Sequence, residues 1–286
     1  FESKIDSIKK KRVLENFLKL LIKNKNKILE ENKKDIKFAR KKKIKDNLIK
    51  RLEMNEGKFN SIIKSIKEII KIKDPTNKIL ERWKRPNGLI IQKVTVPIGV
   101  IAVIYESRPN VTSDVASLCF KSGNAVILKG GSEAFNTNKI ISDLFRMSLK
   151  KCGVDKNYVQ FIESKDRKVV DKLLSGMKGY IDLIIPRGGK SLVKKVDTLS
   201  KIPYIGHLEG LCHTFIDKNA KLDMAIKVLE NAKLRNTSIC GATETVLFHR
   251  AIAKKFINPV LKNLQNKGCN IYGDKIVKKL FNGKST

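Results

Sequence analysis

Ile98-Gly99-Val100-Ile101-Ala102-Val103-Ile104-Tyr105 is the stretch that decides the fold class. It is a nearly continuous apolar run. Such a run reads as a strand buried on both faces, as in a parallel sheet. Just upstream, residues 89–96 are β-branched and partly alternating. Downstream, short apolar runs recur at 125–128, 158–162, 181–185 and 214–216. Amphipathic segments of helix length alternate with them at 112–122, 136–152, 168–174 and 222–234. This strand–helix alternation with short loops predicts an α/β fold built on a doubly wound parallel sheet.

Outward from that centre the pattern changes. Residues 1 to about 73 read as helical: Leu14, Leu18, Leu21, Ile22, Ile28 and Leu29 recur at helix spacing. Ile62, Ile63, Ile66, Ile69 and Ile70 form a second apolar face. These helices read as scaffold without chemistry. Asp74-Pro75-Thr76-Asn77 and Arg85-Pro86-Asn87-Gly88 are breaks. Near the other end, residues 244–248 read as a strand and 251–265 as a helix.

The 286 residues allow one large or two medium domains, and 41% hydrophobic content suffices for a core. No apolar run approaches the roughly 18 residues of a membrane span, which excludes an integral helical membrane protein. Residues 1–13 carry no apolar signal segment, so a cytoplasmic location is expected. The net charge is +33, yet only 11 of the 61 basic residues are Arg. Phosphate-gripping surfaces favour the guanidinium fork. The Lys-dense stretches at 9–12 and 41–45 also lack the interleaved aromatics that stack bases. Abundant Lys, Ile and Asn along the whole chain read as the drift of an AT-rich genome, with a basic nucleic-acid-binding protein as the rival.

Cys119, Cys152, Cys212, Cys240 and Cys269 are odd in number, widely spaced and without a CxxC pair. Neither a disulfide framework nor a structural zinc site fits, and a reducing compartment does. His207, His213 and His249 are too scattered for a metal site, and none is expected.

In a doubly wound sheet, ligands lie beyond the carboxyl ends of strands and at helix N-termini. Three loops fall there: Tyr105-Glu106-Ser107-Arg108-Pro109-Asn110, Lys129-Gly130-Gly131-Ser132-Glu133 and Pro186-Arg187-Gly188-Gly189-Lys190. The Gly-Gly turns suit backbone approach to a phosphate-bearing cofactor, or are simply tight turns. Neither matches the GxGxxG or GxxxxGK[ST] pattern. A fourth segment runs from Asn231 through Cys240-Gly241 to Thr245. A Cys on a polar loop after an amphipathic helix is a candidate nucleophile, the alternative being a small packing residue.

The run Val96-Pro97-Ile98-Gly99-Val100-Ile101, with Tyr105 to Thr112, closely resembles the gamma-glutamyl phosphate reductases (glutamate-5-semialdehyde dehydrogenases) of the aldehyde dehydrogenase superfamily. The resemblance continues through Lys121 to Ala134, Ile185 to Lys190, Ile205 to His213, Asn231-Ala232-Lys233, and Cys240 with Glu244-Thr245. It is weakest over the first 70 residues.

The resemblance implies an aldehyde-dehydrogenase-like fold: N-terminal helices over 1–88, a Rossmann-type NADPH-binding domain over 89–232, and the start of an α/β catalytic domain over 233–286. It implies NADPH-dependent reduction of L-glutamyl 5-phosphate to L-glutamate 5-semialdehyde and phosphate, a step of proline biosynthesis. By position Cys240 matches the nucleophile, and Asn110 the Asn whose amide helps hold the oxyanion. Lys129, Gly130, Gly131, Ser132 and Glu133 match the adenosine-ribose contact, with Lys129 also placed for a 2′-phosphate. Pro186, Arg187, Gly188 and Gly189 match the pyrophosphate or nicotinamide end. Glu106 and Arg108 are candidates for the substrate, the alternative for Arg108 being an ion pair with Glu106.

Three departures stand out. Gly241 follows the nucleophile where the family usually has Asn. Glu209 lies near the general-base Glu of other aldehyde dehydrogenases, which many of these reductases lack. The chain stops at Thr286 where relatives continue, so it is expected to be truncated. A homo-oligomer at full length and a glutamate kinase as partner are further expectations. The rival within the superfamily is an ordinary aldehyde dehydrogenase running in the oxidative direction with water. Arg108-Pro109-Asn110, in place of that group's Pro-Trp-Asn, argues against it.

Overall fold

The structure is a computed structural model that describes residues 5–285 apart from 107, 165, 167, 208, 209 and 238, and of Asn47 the backbone only. The chain divides into two compact units, Phe1–Leu208 and Glu209–Thr286. The division lies inside the 89–232 stretch assigned above to one domain.

The first unit begins with four helices: α1 (Ser7–Lys23), α2 (Lys25–Lys41), α3 (Asp46–Leu52) and α4 (Glu56–Lys71). Two of them start on side-chain caps. Asp6 accepts from Lys9 N at 2.7 Å and Asn55 from Lys58 N at 2.9 Å, each satisfying an amide the first turn leaves open. Strands β1 (Ile79–Lys84) and β2 (Ile90–Val94) form an antiparallel hairpin. The break at 85–88 is its turn, with Gly88 at φ +87° and its N–H on the Arg85 carbonyl at 2.9 Å. The first hairpin strand has no counterpart in the sequence reading. Its six residues are all exposed, so it carries neither the alternation nor the apolar run that marks a strand.

Then follow β3 (Val100–Tyr105), α5 (Pro109–Lys121), β4 (Ala125–Gly130), α6 (Phe135–Lys151), β5 (Val159–Phe161), α7 (Lys168–Leu174), β6 (Leu183–Arg187) and α8 (Lys190–Leu199). The four strands make one sheet in the order β5-β4-β3-β6, every pair parallel. Central β3 is buried along Ile101 to Tyr105, as its apolar run requires. Phe17 of α1, Phe120 of α5 and Phe145 of α6 meet beneath the sheet, with ring centroids 4.5 Å apart for Phe17–Phe145 and 5.8 Å for Phe120–Phe145. The N-terminal helices therefore complete the core on one sheet face.

The second unit contains β7 (His213–Ile216), α9 (Leu222–Leu234), β8 (Thr245–Phe248), α10 (Ala253–Asn266) and α11 (Lys275–Leu280). Strands β7 and β8 pair with each other in parallel and form their own sheet. Leu229 of α9 and Phe256, Ile257 and Val260 of α10 anchor its core.

Candidate active site

In the first unit the chain steps outward from β3 to β4 and β5, then returns to the other side of β3 as β6. Strand order thus reverses between β3 and β6, and a crevice opens at the carboxyl ends of such a pair. The loops after β4, β3 and β6 are the three singled out above, and the sheet order makes them neighbours.

After β3, α5 opens with Pro109 in its first turn, where a missing N–H costs nothing. Asn110 is exposed on that turn. Its Nδ2 reaches Asp114 Oδ2 at 3.5 Å, while Asp114 Oδ1 accepts from Ser65 Oγ of α4 at 2.8 Å. Burial raises the Asp114 carboxyl above its ordinary range, against the pull of those two hydrogen bonds. Ser65 thus fixes Asp114 beside the Asn110 amide; the sequence offers no sign of this pair, since 49 positions separate them.

Glu106 turns to β6. Its backbone N–H donates to the Arg187 carbonyl at 3.2 Å, and its Oε2 accepts from Gly189 N at 3.0 Å. Gly189 is the N-cap of α8, so a carboxylate rests on the amide just before that helix, across the reversal of strand order. A Cβ on Gly188 would lie 2.7 Å from Glu106 Cδ. Arg187, Gly188 and Gly189 are exposed and Pro186 is buried. Ser107 lies outside the described residues.

After β4 the loop is packed rather than open. Lys129 is 7% exposed, and its ammonium donates to the Gly130 carbonyl at 3.0 Å. Burial lowers its pKa, partly offset by Glu133. Behind Gly130, Tyr105 Oη bonds Thr112 Oγ1 at 2.7 Å and Thr112 donates to Asn138 Oδ1 at 2.9 Å. All three side chains are buried, and Asn138 Nδ2 fills the space that a Gly130 side chain would take. The Glu133 carboxylate covers the corresponding side of Gly131, and Ser132 is exposed. Helix α6 then starts with no cap of its own. Asp35 of α2 supplies one: Oδ1 accepts from Asn136 N at 3.1 Å and Oδ2 from Thr137 N at 2.8 Å. One helix of the supposed scaffold therefore fixes the far end of the Gly130–Gly131 loop.

Cys240 belongs to the second unit and is exposed on the turn between α9 and β8. Backbone bonds pin that turn: Thr243 N to Ala232 O at 3.0 Å, and Glu244 N and Thr245 N to Cys212 O at 2.9 and 3.1 Å. The Cys212 thiol donates to the Cys240 carbonyl at 3.2 Å. Glu209 lies outside the described residues. Among the described residues no group of three or more His, Cys, Asp or Glu is placed to hold a metal, and no helix is long and apolar enough to cross a membrane.

The aldehyde dehydrogenase family model matches residues 3–270. The chain belongs to that family. Within the aldehyde dehydrogenases, it is 44% identical over 235 residues to the gamma-glutamyl phosphate reductase of Mesorhizobium japonicum, covering 82% of this chain and 55% of that one. It is 48% identical over 224 residues to the reductase of the same name from Bartonella tribocorum, covering 78% and 54%. The crystal structure of the Thermotoga maritima gamma-glutamyl phosphate reductase superposes with a TM-score of 0.90 at 35% identity, over 97% of this chain and 67% of that one. The chain spans about half the length of the curated relatives it matches. The match establishes the aldehyde-dehydrogenase-like α/β fold with its parallel sheet.

Proposed function

We propose that this chain carries the cofactor-binding part and the nucleophile-bearing start of the catalytic part of a gamma-glutamyl phosphate reductase. In this reading 1–88 packs on a cofactor domain over 89–232, and 233–286 opens the catalytic domain. The observation that carries it is the exposed Cys240, displayed on a turn pinned by backbone hydrogen bonds, in a chain 44–48% identical to enzymes of that name.

The Cys240 thiolate attacks the acyl phosphate carbonyl of L-glutamyl 5-phosphate. The C–O bond to phosphate breaks, phosphate departs with the electron pair, and a thioester remains on Cys240. Phosphate is a good leaving group, so the departing oxygen needs little help from a general acid. By resemblance the Asn110 amide is the donor to the developing oxyanion; losing one such donor typically costs about 10²–10³-fold in rate. Arg108 and Glu106 are the candidates for the substrate's charged groups.

The first unit suits a nicotinamide dinucleotide, which supplies hydride to the thioester when bound. Gly188 and Gly189 are exposed at the start of α8, where a pyrophosphate would take the Gly189 amide once the Glu106 carboxylate turns away from it. By resemblance the Lys129–Glu133 loop, exposed at Ser132, takes the adenosine ribose, and Lys129 is the candidate for the 2′-phosphate of NADPH. A cytoplasmic enzyme that is a homo-oligomer at full length and receives its labile substrate from a glutamate kinase completes the reading.

The test is NADP⁺ reduction with glutamate 5-semialdehyde, on this chain and on the full-length protein, with and without phosphate. Turnover that requires phosphate and is lost in Cys240→Ser is the expected result. Phosphate-independent oxidation would replace this reading with an ordinary aldehyde dehydrogenase.

A further inference from the structure

We propose that Cys212 and Cys240 are a reversible redox pair: a hydroperoxide oxidises Cys240, and Cys212 closes a disulfide onto it. The second unit by itself brings them together. Cys212 Sγ lies 3.2 Å from the Cys240 carbonyl oxygen, although 28 positions separate the two residues. Ordinary carbonyl geometry then places that sulfur within about 6 Å of the Cys240 Cα. A disulfide joins Cα atoms roughly 4.4–6.8 Å apart, and the Cys212 Cα lies one side-chain length beyond its sulfur, so the bond closes when both side chains rotate and the Cys240 turn moves towards Cys212.

The scaffold holds this approach from several sides. The Cys212 carbonyl accepts from Glu244 and Thr245, the residues that lead the Cys240 turn into β8. His213 pairs with Thr245, and Thr214 Oγ1 bonds Thr243 Oγ1 at 2.7 Å. Gly210 closes on the same turn, for a Cβ there would lie 2.6 Å from the Cys240 carbonyl oxygen. Freedom is kept where the bond needs it. Gly241, next to Cys240, has no atom within 4 Å of its Cβ direction.

Accessibility sets the order of events. Cys240 is exposed and Cys212 partly buried, so peroxide meets Cys240 first. Cys119 is buried, and burial pushes its thiol up to about 12. Cys152 belongs to the first unit, where Asn16 Nδ2 contacts its sulfur at 3.1 Å. Cys269 packs against the α9–α10 core. In the first step the Cys240 sulfur attacks one peroxide oxygen; the O–O bond breaks, and a sulfenic acid forms with release of water or alcohol. In the second, the Cys212 sulfur attacks the sulfenyl sulfur; the S–O bond breaks and water leaves, carrying the Cys212 proton. Each cycle oxidises two thiols and reduces one hydroperoxide, and an external dithiol reverses it. Resting on the reading of Cys240 as nucleophile, the consequence is a reversible block that intercepts the sulfenic acid before irreversible sulfinic acid forms.

The test exposes the whole chain to dilute hydrogen peroxide, caps free thiols, and maps peptides without reduction. Expected is a Cys212–Cys240 cross-linked peptide that dithiothreitol abolishes. In Cys212→Ser and Cys212→Ala, each confirmed folded by its melting curve, sulfinic acid at Cys240 rises several-fold. Cys240 oxidised in the wild type without a bond to Cys212, or sulfinic acid unchanged in both variants, overturns the pair. Because the readout is a bond and not turnover, the two readings fail separately. A bond that forms in a full-length enzyme whose Cys240→Ser variant stays active overturns the catalytic reading alone.

Discussion

The Gly-Gly turns after β4 and β6 flank the same central strand, yet Gly130 of the first requires glycine and Gly189 of the second does not. At Gly130 the missing side chain is a packing requirement: Asn138 Nδ2 fills that space, and Tyr105 Cε2 lies 3.4 Å from where the Cβ would be. At Gly189 the nearest atom to a Cβ is Glu106 Oε2 at 3.8 Å, an ordinary contact. Both residues have unstrained backbone, so conformational freedom explains neither. One turn is built into the core; the other lies at the surface, where the Glu106 carboxylate and Leu192 crowd Gly188 and leave Gly189 open. The glycines of two Gly-Gly pairs therefore need separate physical accounts, residue by residue, and a motif alone cannot tell them apart.

Placing the same substitution at both turns gives the largest effect. Gly130→Ala forces a methyl group into the Asn138 amide and is expected to cost about 1–3 kcal/mol, the usual range for overpacking a filled core. Gly189→Ala is expected to stay within about 0.5 kcal/mol, since a lost cap preference is offset by a stiffer unfolded chain. Urea midpoints of the two variants decide it. Equal losses would mean that the two turns do not differ as the packing indicates.

Titration gives a smaller contrast. Burial lowers the Lys129 pKa below its ordinary 10.5, so near that value the unfolded chain binds more protons than the folded one. Stability from this group therefore rises as pH climbs towards 10.5, and the penalty of burying the ammonium is felt fully at neutral pH. Lys129→Met removes the rise. Its stability difference from wild type shifts with pH by some fraction of the roughly 1.4 kcal/mol per pH unit that one proton carries. Denaturant titrations from pH 8 to 10.5 measure it, and a constant difference would mean that the ammonium is hydrated in the folded state.

How much of this was legible follows from the range of each interaction. Burial of β3 on both faces is written in consecutive residues, so the 98–105 run predicts it directly. The helices at 168–174 and 222–234 match α7 and α9 end for end, because periodicity is a local signal. The supports of the site are long-range and carry no local mark. Asp35 reaches Thr137 across 102 positions, Glu106 reaches Gly189 across 83, and Thr112 reaches Asn138 across 26. Each is a common polar residue whose partner only the fold selects. For the same reason Cys212 read as one scattered thiol among five, although the β7–β8 pairing sets it against the Cys240 turn.

The smallest expected effect tests the open turn. Glu106→Gln keeps the shape of the side chain and an acceptor oxygen for Gly189 N–H, but removes the negative charge from the start of α8. A charge at a helix N-terminus contributes about 0.3–1 kcal/mol at low ionic strength when exposed to solvent. Glu106 is only partly covered, so a loss of a few tenths of a kcal/mol is expected. Salt distinguishes charge from shape here, because at about 1 M ionic strength the Debye length falls to about 3 Å. The stability gap between Glu106→Gln and wild type should shrink towards zero in high salt, whereas the Gly130→Ala deficit, being steric, should not. A Glu106→Gln gap that persists in high salt would show that the carboxylate acts by packing on Gly188, making the β6 turn a second filled site like the one behind Gly130.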